Sequence, residues 1–561
     1  MVSRLFRFIE REISGLHEAA YLLASCAILS QLLALIRDRL FASTFGAGHT
    51  LDIYYAAFRI PDLIFVSVAS LVSISVLVPF ITQKMKEGEE QGKRFIDDIF
   101  SLFFVLIVVV CVLMFFLMPL LVPKVFPGFA ADPELPSLIL LARILLLSPL
   151  LLGISNFFAS ITQMYNRFLL YAVSPLLYNL GIIIGALFLY PKFGIAGLGF
   201  GVVLGALLHL GIQIPFIMKQ DLFPRLCVPR HWKPLLRAAS LSLPRTLTLS
   251  ANQIATFFLV AIGSYFAAGS IAVFNFAWNL QSVPLSIIGA SYASAAFPAL
   301  SRLVVEKRIG EFVAQVALSA RHILFWSLPM LSLFIVLRAQ IVRTILGAGA
   351  FSWSDTRLTA ACLAIFIVST AAQSLLLLFV RGYYALGKTG KPLLINVLSS
   401  ALIVGFAYVL LRLFGAVPVV QYFLESLFKV ENLSGSVVLI LPLAYTLGTL
   451  LNALWHWIAF GQEFKGFNSS VLRTLFQSLS ASVIMGYVAY LFLNVFDDLL
   501  DVHTALGIFL QGLYSGLIGI AVGVLVLHIL KSEELADVWK TLHHKIWKAK
   551  VIGPEPTETT L

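Results

Sequence analysis

Pro175-Leu-Leu-Tyr-Asn179 reappears 217 positions later as Pro392-Leu-Leu-Ile-Asn396. Each copy opens an apolar segment long enough to form a membrane helix. Two further pairs of landmarks have nearly the same offset, Pro79 with Pro298 and Phe193-Gly194 with Phe414-Gly415. Three landmarks at one period predict that the chain consists of two similar halves, the internal symmetry that many transporters have.

The composition is that of a membrane protein. Hydrophobic residues make up 60% of the chain and charged residues only 12%, against about a quarter charged in soluble domains, and the mean hydropathy is +0.95. A helix of about 20 apolar residues crosses a bilayer, and about 14 such segments follow one another. We therefore predict an all-α polytopic membrane protein with two six-helix parallel repeats and two C-terminal helices. Pro79 is predicted to close the second helix and Pro298 the eighth.

An even number of helices in each repeat gives both halves the same orientation in the membrane. Most of the 39 Lys and Arg then fall in the termini and in loops on one side, which the positive-inside rule places in the cytoplasm. The predicted divisions are an amphipathic lead (1–18), an N-lobe (19–220), a basic cytoplasmic linker (221–239), a C-lobe (240–462), helices 13 and 14 (463–530) and a cytoplasmic amphipathic tail (531–561).

The charge and the cysteines exclude several kinds of site. The net charge of +11 follows from the basic cytoplasmic loops, so it indicates topology and membrane lipids rather than nucleic acid. Cys26, Cys111 and Cys362 lie in apolar segments and Cys227 in a loop, which predicts neither a disulfide framework nor a metal site. No cofactor is predicted, and the residues do not distinguish a coupling ion from the membrane potential as the driving force.

Several motifs resemble one family of flippases. They begin with Arg37-Asp38, Phe45-Gly-Ala-Gly48, Asp52 and Ala57-Phe-Arg-Ile-Pro61, and continue with Tyr165-Asn-Arg-Phe168, Phe297-Pro-Ala-Leu-Ser301, Gly347-Ala-Gly-Ala-Phe351 and Arg381-Gly-Tyr-Tyr-Ala-Leu-Gly387. As a set they resemble the MviN/MurJ lipid II flippases of the MOP superfamily, and they extend over most of the chain. The resemblance implies a carrier in the bacterial inner membrane that moves undecaprenyl-diphosphate-linked peptidoglycan precursor outward by alternating access, with lipid II as substrate and the cell-wall synthesis machinery as a possible partner.

The resemblance also assigns polar residues to a central cavity. Arg37 and Asp52 match charged cavity positions of the family. The family usually has arginines where this chain has Gln31, Phe65 and Asn279, and a glutamate where it has Ser70. From position alone, Arg37 beside Asp38 could be an interfacial pair, and Asp52 could be a charge at the start of the second helix.

Three other arginines are candidate contacts for a diphosphate. Arg245 lies inside helix seven with no acidic residue within helical reach, so it is either a ligand that replaces the lost arginines or a side chain that reaches the interface. Arg59 is three residues from Asp62, a spacing that favours a structural ion pair over a substrate contact. Arg143 in helix four is equally consistent with a ligand and with a packing residue.

The same sequence features leave other functions open besides that of a flippase. An exporter of another polyprenyl-linked glycan or of a small molecule would share the fold. A non-transporting membrane scaffold could also have lost the family's arginines. A membrane enzyme acting on the same lipids would need acidic residues or a metal site facing a cavity, and the apolar segments contain almost no carboxylates besides Asp52 and Asp62.

Overall fold

Long helices make up most of the described structure. The computed structural model describes residues 16–69, 74–165, 167–228 and 232–546, and no strand occurs in these ranges. The N-lobe helices are α1 (Leu16–Phe45), α2 (His49–Ile64, Phe65–Ala69 and Ile74–Glu87), α3 (Glu89–Val125), α4 (Leu135–Met164), α5 (Leu169–Phe193) and α6 (Ile195–Lys219). The remaining helices are α7 (Trp232–Gly263), α8 (Ser270–Val305), α9 (Ile309–Val336 and Arg338–Leu346), α10 (Trp353–Ala385), α11 (Gly390–Ala416), α12 (Ser436–Glu463), α13 (Phe467–Asp497), α14 (Ala505–Ile529) and α15 (Glu533–Ile546).

The helix composition confirms the predicted all-α membrane fold. Twelve helices in the described ranges, α3 to α14, are long and apolar enough to cross a membrane. The helices α1 and α2 coincide with the first two predicted segments, so the predicted number of about 14 is compatible with the structure. Short helices at Pro127–Phe129 and Pro418–Phe428 lie in the loops after α3 and α11.

The same helix pairings occur in both halves of the chain. In the first half α1 packs against α5, α5 against α6, and α2 against α4; in the second half α7 packs against α11, α11 against α12, and α8 against α10. This correspondence is what a parallel six-helix repeat requires. The residue boundaries given above for the lobes remain predictions. The predicted topology places the end where α1 joins α2 and α7 joins α8 on the outer side, since the basic loops join helices at the other end. We call it the outer end.

The expectation that Pro79 and Pro298 close their helices is wrong. The helix around Pro79 continues to Glu87, and the helix around Pro298 continues to Val305. A proline removes one backbone hydrogen bond, and in hydrocarbon the remaining backbone groups still need partners within the helix. Both helices contain a π-helical turn elsewhere, at Phe65–Ala69 after Pro61 in α2 and at Leu285–Ala290 after Pro284 in α8.

Helices α13 and α14 pack on the C-lobe. The main contact of α13 is with α9, and α14 packs against α13 and the outer segment of α9. The loop after α14 then leads into α15, the helix expected in the amphipathic tail. Trp547 and the residues after it lie outside the described ranges.

A buried carboxylate attaches α15 to this bundle. Glu534 is only 1% exposed, and its carboxylate accepts hydrogen bonds from Arg321 Nε at 2.6 Å, Thr474 Oγ1 at 2.7 Å and Ser532 Oγ at 2.8 Å. Arg321 Nη2 also donates to Glu533 at 2.6 Å. Apolar residues beside this network pack together, namely Phe325, Ala481, Leu527, Leu535 and Val538. Polar and apolar contacts therefore hold α9, α13 and the tail together.

We expect Arg321→Ala to detach α15. The change leaves the buried Glu534 carboxylate without its cation, and losing hydrogen bonds to a charged group costs about 2 kcal/mol. In detergent, the variant should melt at a lower temperature and be cut faster by trypsin at Lys540. Arg473→Ala is the matched control, because Arg473 is exposed and lies 3.6 Å from Glu533. Equal effects of the two substitutions would contradict this account.

Attachment of the tail should also weaken in acid. Burial raises the pKa of Glu534, but hydrogen bonds from Thr474, the Glu534 amide, Arg321 and Ser532 outweigh burial, and the pKa lies below its usual 4.5. A lowered pKa contributes stability that is complete above the unfolded value and is lost as pH falls through the folded value. The distribution of distances between spin labels at positions 318 and 539 should therefore stay constant from pH 7 to 5 and broaden below about pH 4.5. Glu534→Gln removes this titration, so a transition that persists in that variant would assign it elsewhere.

Candidate functional site

Polar side chains from both lobes meet where α1 and α2 face α8. Arg37 on α1 donates to Asp38 Oδ1 at 2.8 and 3.0 Å through Nη2 and Nε, and to Asn179 Oδ1 on α5 at 2.9 Å through Nη1. Asn279 on α8 donates to the other Asp38 oxygen at 3.0 Å. Asp38 therefore links Arg37 to the C-lobe, and the Arg37 side chain keeps 19% of its surface exposed.

Gln31 lies about two turns before Asp38 on α1 and makes a further contact with α8. Its amide nitrogen lies 3.5 Å from Ser282 Oγ on α8, at the outer limit of hydrogen bonding. Gln31 and Asn279 occupy positions where the resemblance leads one to expect arginine. Here both carry neutral amides, and both face the opposite lobe.

Arg59 on α2 reaches across to α8. Its Nη2 donates to Asn275 Oδ1 at 2.5 Å, while its Nε and the Tyr55 hydroxyl are buried and have no hydrogen-bond partner among the described residues. The expected ion pair with Asp62 is absent from the described residues, where no contact within 4 Å joins the two charged groups. The reason is direction, since the Arg59 side chain points at α8 rather than along its own helix. A buried guanidinium with an unused donor is costly, and such a group is suited to a ligand oxygen.

We call Gln31, Arg37, Asp38, Arg59, Asn275 and Asn279 the cleft cluster. Its members are carried by α1, α2 and α8 only, and each lies on a face that meets the other lobe. The cluster contains two guanidinium groups and one carboxylate. Ligands that such a set recognises carry phosphate or carboxylate oxygens together with hydroxyl or amide groups.

Asp52 lies nearer the outer end, where its carboxylate binds the start of α8. Its Oδ2 accepts from the Gly269 amide at 2.5 Å and its Oδ1 from the Ala272 amide at 2.8 Å. These amides belong to the first turn of α8, where backbone N–H groups are otherwise unsatisfied and the helix dipole favours a negative charge. Asp52 thus lies in the first turn of α2 but caps the helix of the other lobe.

Further cross-lobe bonds surround Asp52. Arg39 Nη1 donates to the carbonyls of Thr344 at 2.6 Å and Ile345 at 3.0 Å, which end the outer segment of α9. The Ala350 amide donates to the Ser43 carbonyl at 2.9 Å. Together with the two bonds of Asp52 we call these contacts the outer closure.

Two glycines permit this close approach. Gly269 and Gly349 have φ of +91° and +54°, values that favour glycine. A Cβ at Gly269 would collide with the Ala47 carbonyl, and one at Gly349 with the Ser43 carbonyl. Backbone of one lobe therefore lies directly on backbone of the other, which holds the outer end shut.

The other predicted site residues lie elsewhere. Arg143 on α4 donates through Nε to the Phe115 carbonyl at 3.0 Å, and its guanidinium lies 4.7 Å from the Phe115 ring centroid, so it packs on α3 away from the cleft cluster. The backbone at Arg245 is part of α7, but its side chain lies outside the described residues, as does Ser70. Phe65 begins the π-helical segment of α2 and packs on the apolar core.

Comparison with known proteins identifies the family. A family model described as "Lipid II flippase MurJ" matches residues 41–511, which is most of the chain. The chain belongs to the lipid II flippase MurJ family. The resemblance drawn from the motifs is thereby confirmed, and the chain is a member of a transporter family rather than an enzyme.

Curated MurJ relatives match over most of their own length. The chain is 27% identical to a probable lipid II flippase MurJ of Rhizobium tropici over 66% of this chain and 71% of the relative. A probable lipid II flippase MurJ of Thermotoga maritima is 25% identical over 92% of this chain and 97% of the relative. The family match therefore includes both lobes.

Solved structures with the MurJ fold agree with the helix arrangement. A lipid II flippase MurJ in an inward closed conformation superposes with a TM-score of 0.72 at 22% identity, covering 92% of this chain and all of that one. A multidrug resistance MATE transporter of the MOP superfamily, in an inward-facing conformation, gives a TM-score of 0.62 at 16% identity over 79% and 98% of the two chains. These likenesses establish the fold, which MurJ shares with the wider superfamily.

Sequence reasoning about this MurJ-family chain missed the roles of Asn179 and Asn275. Both are asparagines in apolar helices, and Asn179 ends the repeated Pro175 motif. A side-chain amide in a membrane helix needs a hydrogen-bond partner. Its presence in an apolar segment therefore indicates a polar contact, but the sequence does not identify the other residue. No cluster of three or more His, Cys, Asp or Glu suited to a metal occurs in the described part of the chain.

We expect Gly269→Ala to loosen the outer closure. The added Cβ meets the Ala47 carbonyl at a position with positive φ, and a penalty of about 1.4 kcal/mol shifts an equilibrium about tenfold. A cysteine reporter at position 282, in a Cys227→Ser background, should then react about ten times faster with an impermeant maleimide added from the outer side.

Gly466→Ala provides the matched control for this experiment. Gly466 also has φ +91°, but a Cβ there meets no atom within 4 Å. The control carries the same backbone strain without a cross-lobe contact, so its labelling should equal that of the parent. If both variants label equally, close approach at Gly269 does not hold the lobes together.

Proposed function

We propose that this chain moves lipid II, an undecaprenyl-diphosphate-linked peptidoglycan precursor, from the inner to the outer leaflet of the bacterial inner membrane by alternating access. The observation that supports this most is the family match over residues 41–511. The match covers most of both lobes, including Arg59, Asn275 and Asn279 of the cleft cluster. Lipid II is accordingly the proposed substrate, and an association with the cell-wall synthesis machinery stays a prediction.

The physical need for a carrier comes from the diphosphate. Moving an unpaired charge through hydrocarbon costs many kcal/mol, so the head group of such a lipid needs compensating cations along its path. Guanidinium groups suit phosphate because they offer a planar set of donors. The cleft cluster contains two of them, Arg37 on α1 and Arg59 on α2.

Arg59 is the proposed first contact for the diphosphate. The charge of Arg37 is already balanced by Asp38 at 2.8 Å. Among the described residues Arg59 has only the neutral Asn275 as its hydrogen-bond partner, and its Nε has none. A phosphate oxygen at Nε would satisfy this donor, so binding is favoured there over Arg37.

Arg245 is proposed as a second cation at the same interface. Its helix α7 packs against both the outer part and the π-helical segment of α2, the helix that carries Arg59. We propose less direct roles in substrate binding than that of Arg59 for four other residues, Arg37, Gln31, Asp52 and Asn279. Asp38 and Asn279 would position Arg37, and Asp52 would act through the outer closure.

Alternating access would proceed by breaking the outer closure. The bonds of Asp52, Arg39 and Ala350 all join the two lobes, so rotation of one lobe against the other has to separate them together. No covalent step and no cofactor is needed. We further propose that both termini are cytoplasmic, since this orientation places most basic residues inside; the driving force stays open.

The test is replacement of a resident lipid II flippase. In a bacterium depleted of that flippase, the parent chain should restore growth and the appearance of lipid II in the outer leaflet. Arg59→Ala should lower the flipping rate about tenfold or more, because a lost charge-assisted hydrogen bond costs at least about 1.5 kcal/mol. Arg245→Ala should lower it as well.

Arg143→Ala serves as the control, since it removes an arginine from the N-lobe away from the cleft cluster. Its rate should equal that of the parent. If Arg59→Ala and Arg245→Ala flip lipid II at the parental rate, neither arginine contacts the diphosphate. If the parent itself fails although it reaches the membrane, an exporter of another polyprenyl-linked glycan becomes the better assignment.

A further inference from the structure

Two adjoining cavities lie between α9, α10, α13 and α14 at the outer end, away from the cleft cluster. One is an apolar groove of about 340 Å³ whose walls include Leu333, Leu337, Ile341, Leu513, Leu517 and Ile520. The other is a polar pocket of about 450 Å³ whose walls include Gln340, Arg343, Trp353, Asp497, His503 and Gln511. Gln340 lines both cavities. Their combined shape suits a molecule with a polar head and an apolar chain.

Gln340 offers an acceptor that the described residues do not satisfy. Its Nε2 donates to Gln511 Oε1 at 3.2 Å, and its Oε1 is buried without a partner. The amide of Gln511 is fixed, because its own Nε2 donates to the Leu493 carbonyl at 3.1 Å and to Asp497 Oδ1 at 3.2 Å. Gln340 therefore has to present its nitrogen to Gln511, and its oxygen is left without an N–H or O–H donor among the described residues.

The polar pocket contains one group of each charge. The Arg343 guanidinium lies 5.8 Å from the Trp353 ring centroid and donates to the Phe351 carbonyl at 3.2 Å. Asp497 ends α13, where the helix dipole also favours a cation. No ion pair within 4 Å joins these two groups in the described part of the chain. Such an arrangement fits a zwitterion, with an anion at Arg343 and a cation at Asp497.

We propose that this pocket binds the head group of a phosphatidylethanolamine-type phospholipid of the outer leaflet. The phosphate accepts from Arg343, the ammonium donates to Asp497 and to Gln340 Oε1, and one acyl chain lies in the apolar groove. Trp353 is 56% exposed, as is usual for an indole at the membrane–water interface.

The proposed chemistry ranks three common head groups. A glycerol head has no cation for Asp497, and a choline head has a cation but no N–H donor for Gln340. An ethanolamine head supplies both. Since a hydrogen bond to a charged group changes affinity about tenfold or more, phosphatidylethanolamine should bind about tenfold more tightly than either of the other two lipids.

Native mass spectrometry of the full chain in detergent tests this ranking. The probes are phosphatidylethanolamine, phosphatidylcholine and phosphatidylglycerol with identical oleoyl chains, and soluble glycerophosphoethanolamine as a head group without chains. We expect the first lipid to be retained preferentially, and the soluble head group to compete weakly because it leaves the groove empty. Equal retention of the three lipids would overturn the proposal.

Matched variants assign the preference to the pocket. Asp497→Asn keeps the acceptor for Gln511 but removes the negative charge, and Gln340→Leu removes the unsatisfied acceptor. Each should reduce the preference for phosphatidylethanolamine about tenfold. Asp498→Asn makes the same charge change on the neighbouring residue, which does not line the pocket, and should keep the preference. A preference that survives both pocket variants, or is lost equally in Asp498→Asn, would also overturn the proposal.

Discussion

Hydrocarbon offers no hydrogen bonds, and this single constraint governs the structure of the chain. Every backbone amide within the membrane has to find its partner inside a helix, which is why α2 and α8 continue as helices past Pro79 and Pro298. The same constraint applies to side chains. Arg37 is held by Asp38 and Asn179, and the first amides of α8 are held by Asp52. Polar groups that have no such partner among the described residues, as at Arg59 Nε and Gln340 Oε1, then become informative about ligands.

Asp52 shows how one carboxylate can join two structural roles. A charge at the start of α2 would stabilise that helix if it stayed beside its own amides. By capping α8 instead, it makes the N-terminus of one lobe's helix depend on the other lobe. Closing the outer end and completing α8 are therefore a single event. Glycines beside it remove the side chains that would otherwise keep the two backbones apart.

The fold could be predicted from the sequence because the patterns that determine it are local and repeated. Apolar length marks each membrane helix, and the Pro175 and Pro392 motifs mark the repeat. The family could be predicted because the motifs occur as a set. The sequence did not predict the hydrogen-bond partners of Asp52, Arg59 and Asp38, which lie more than 200 positions away on α8. The choice between Asp62 and Asn275 for Arg59 depends on which way one side chain turns, and helical spacing alone favours the nearer residue.

The attachment of α13, α14 and the tail to α9 gives the two lobes unequal mechanical roles. All three elements add to the C-lobe, through packing on α9 and the network around Glu534. The C-lobe side therefore displaces more lipid and meets more viscous drag than the six helices opposite it. When the lobes rotate against each other, the body with less drag turns further relative to the bilayer. We therefore expect the N-lobe to turn further relative to the bilayer than the C-terminal half.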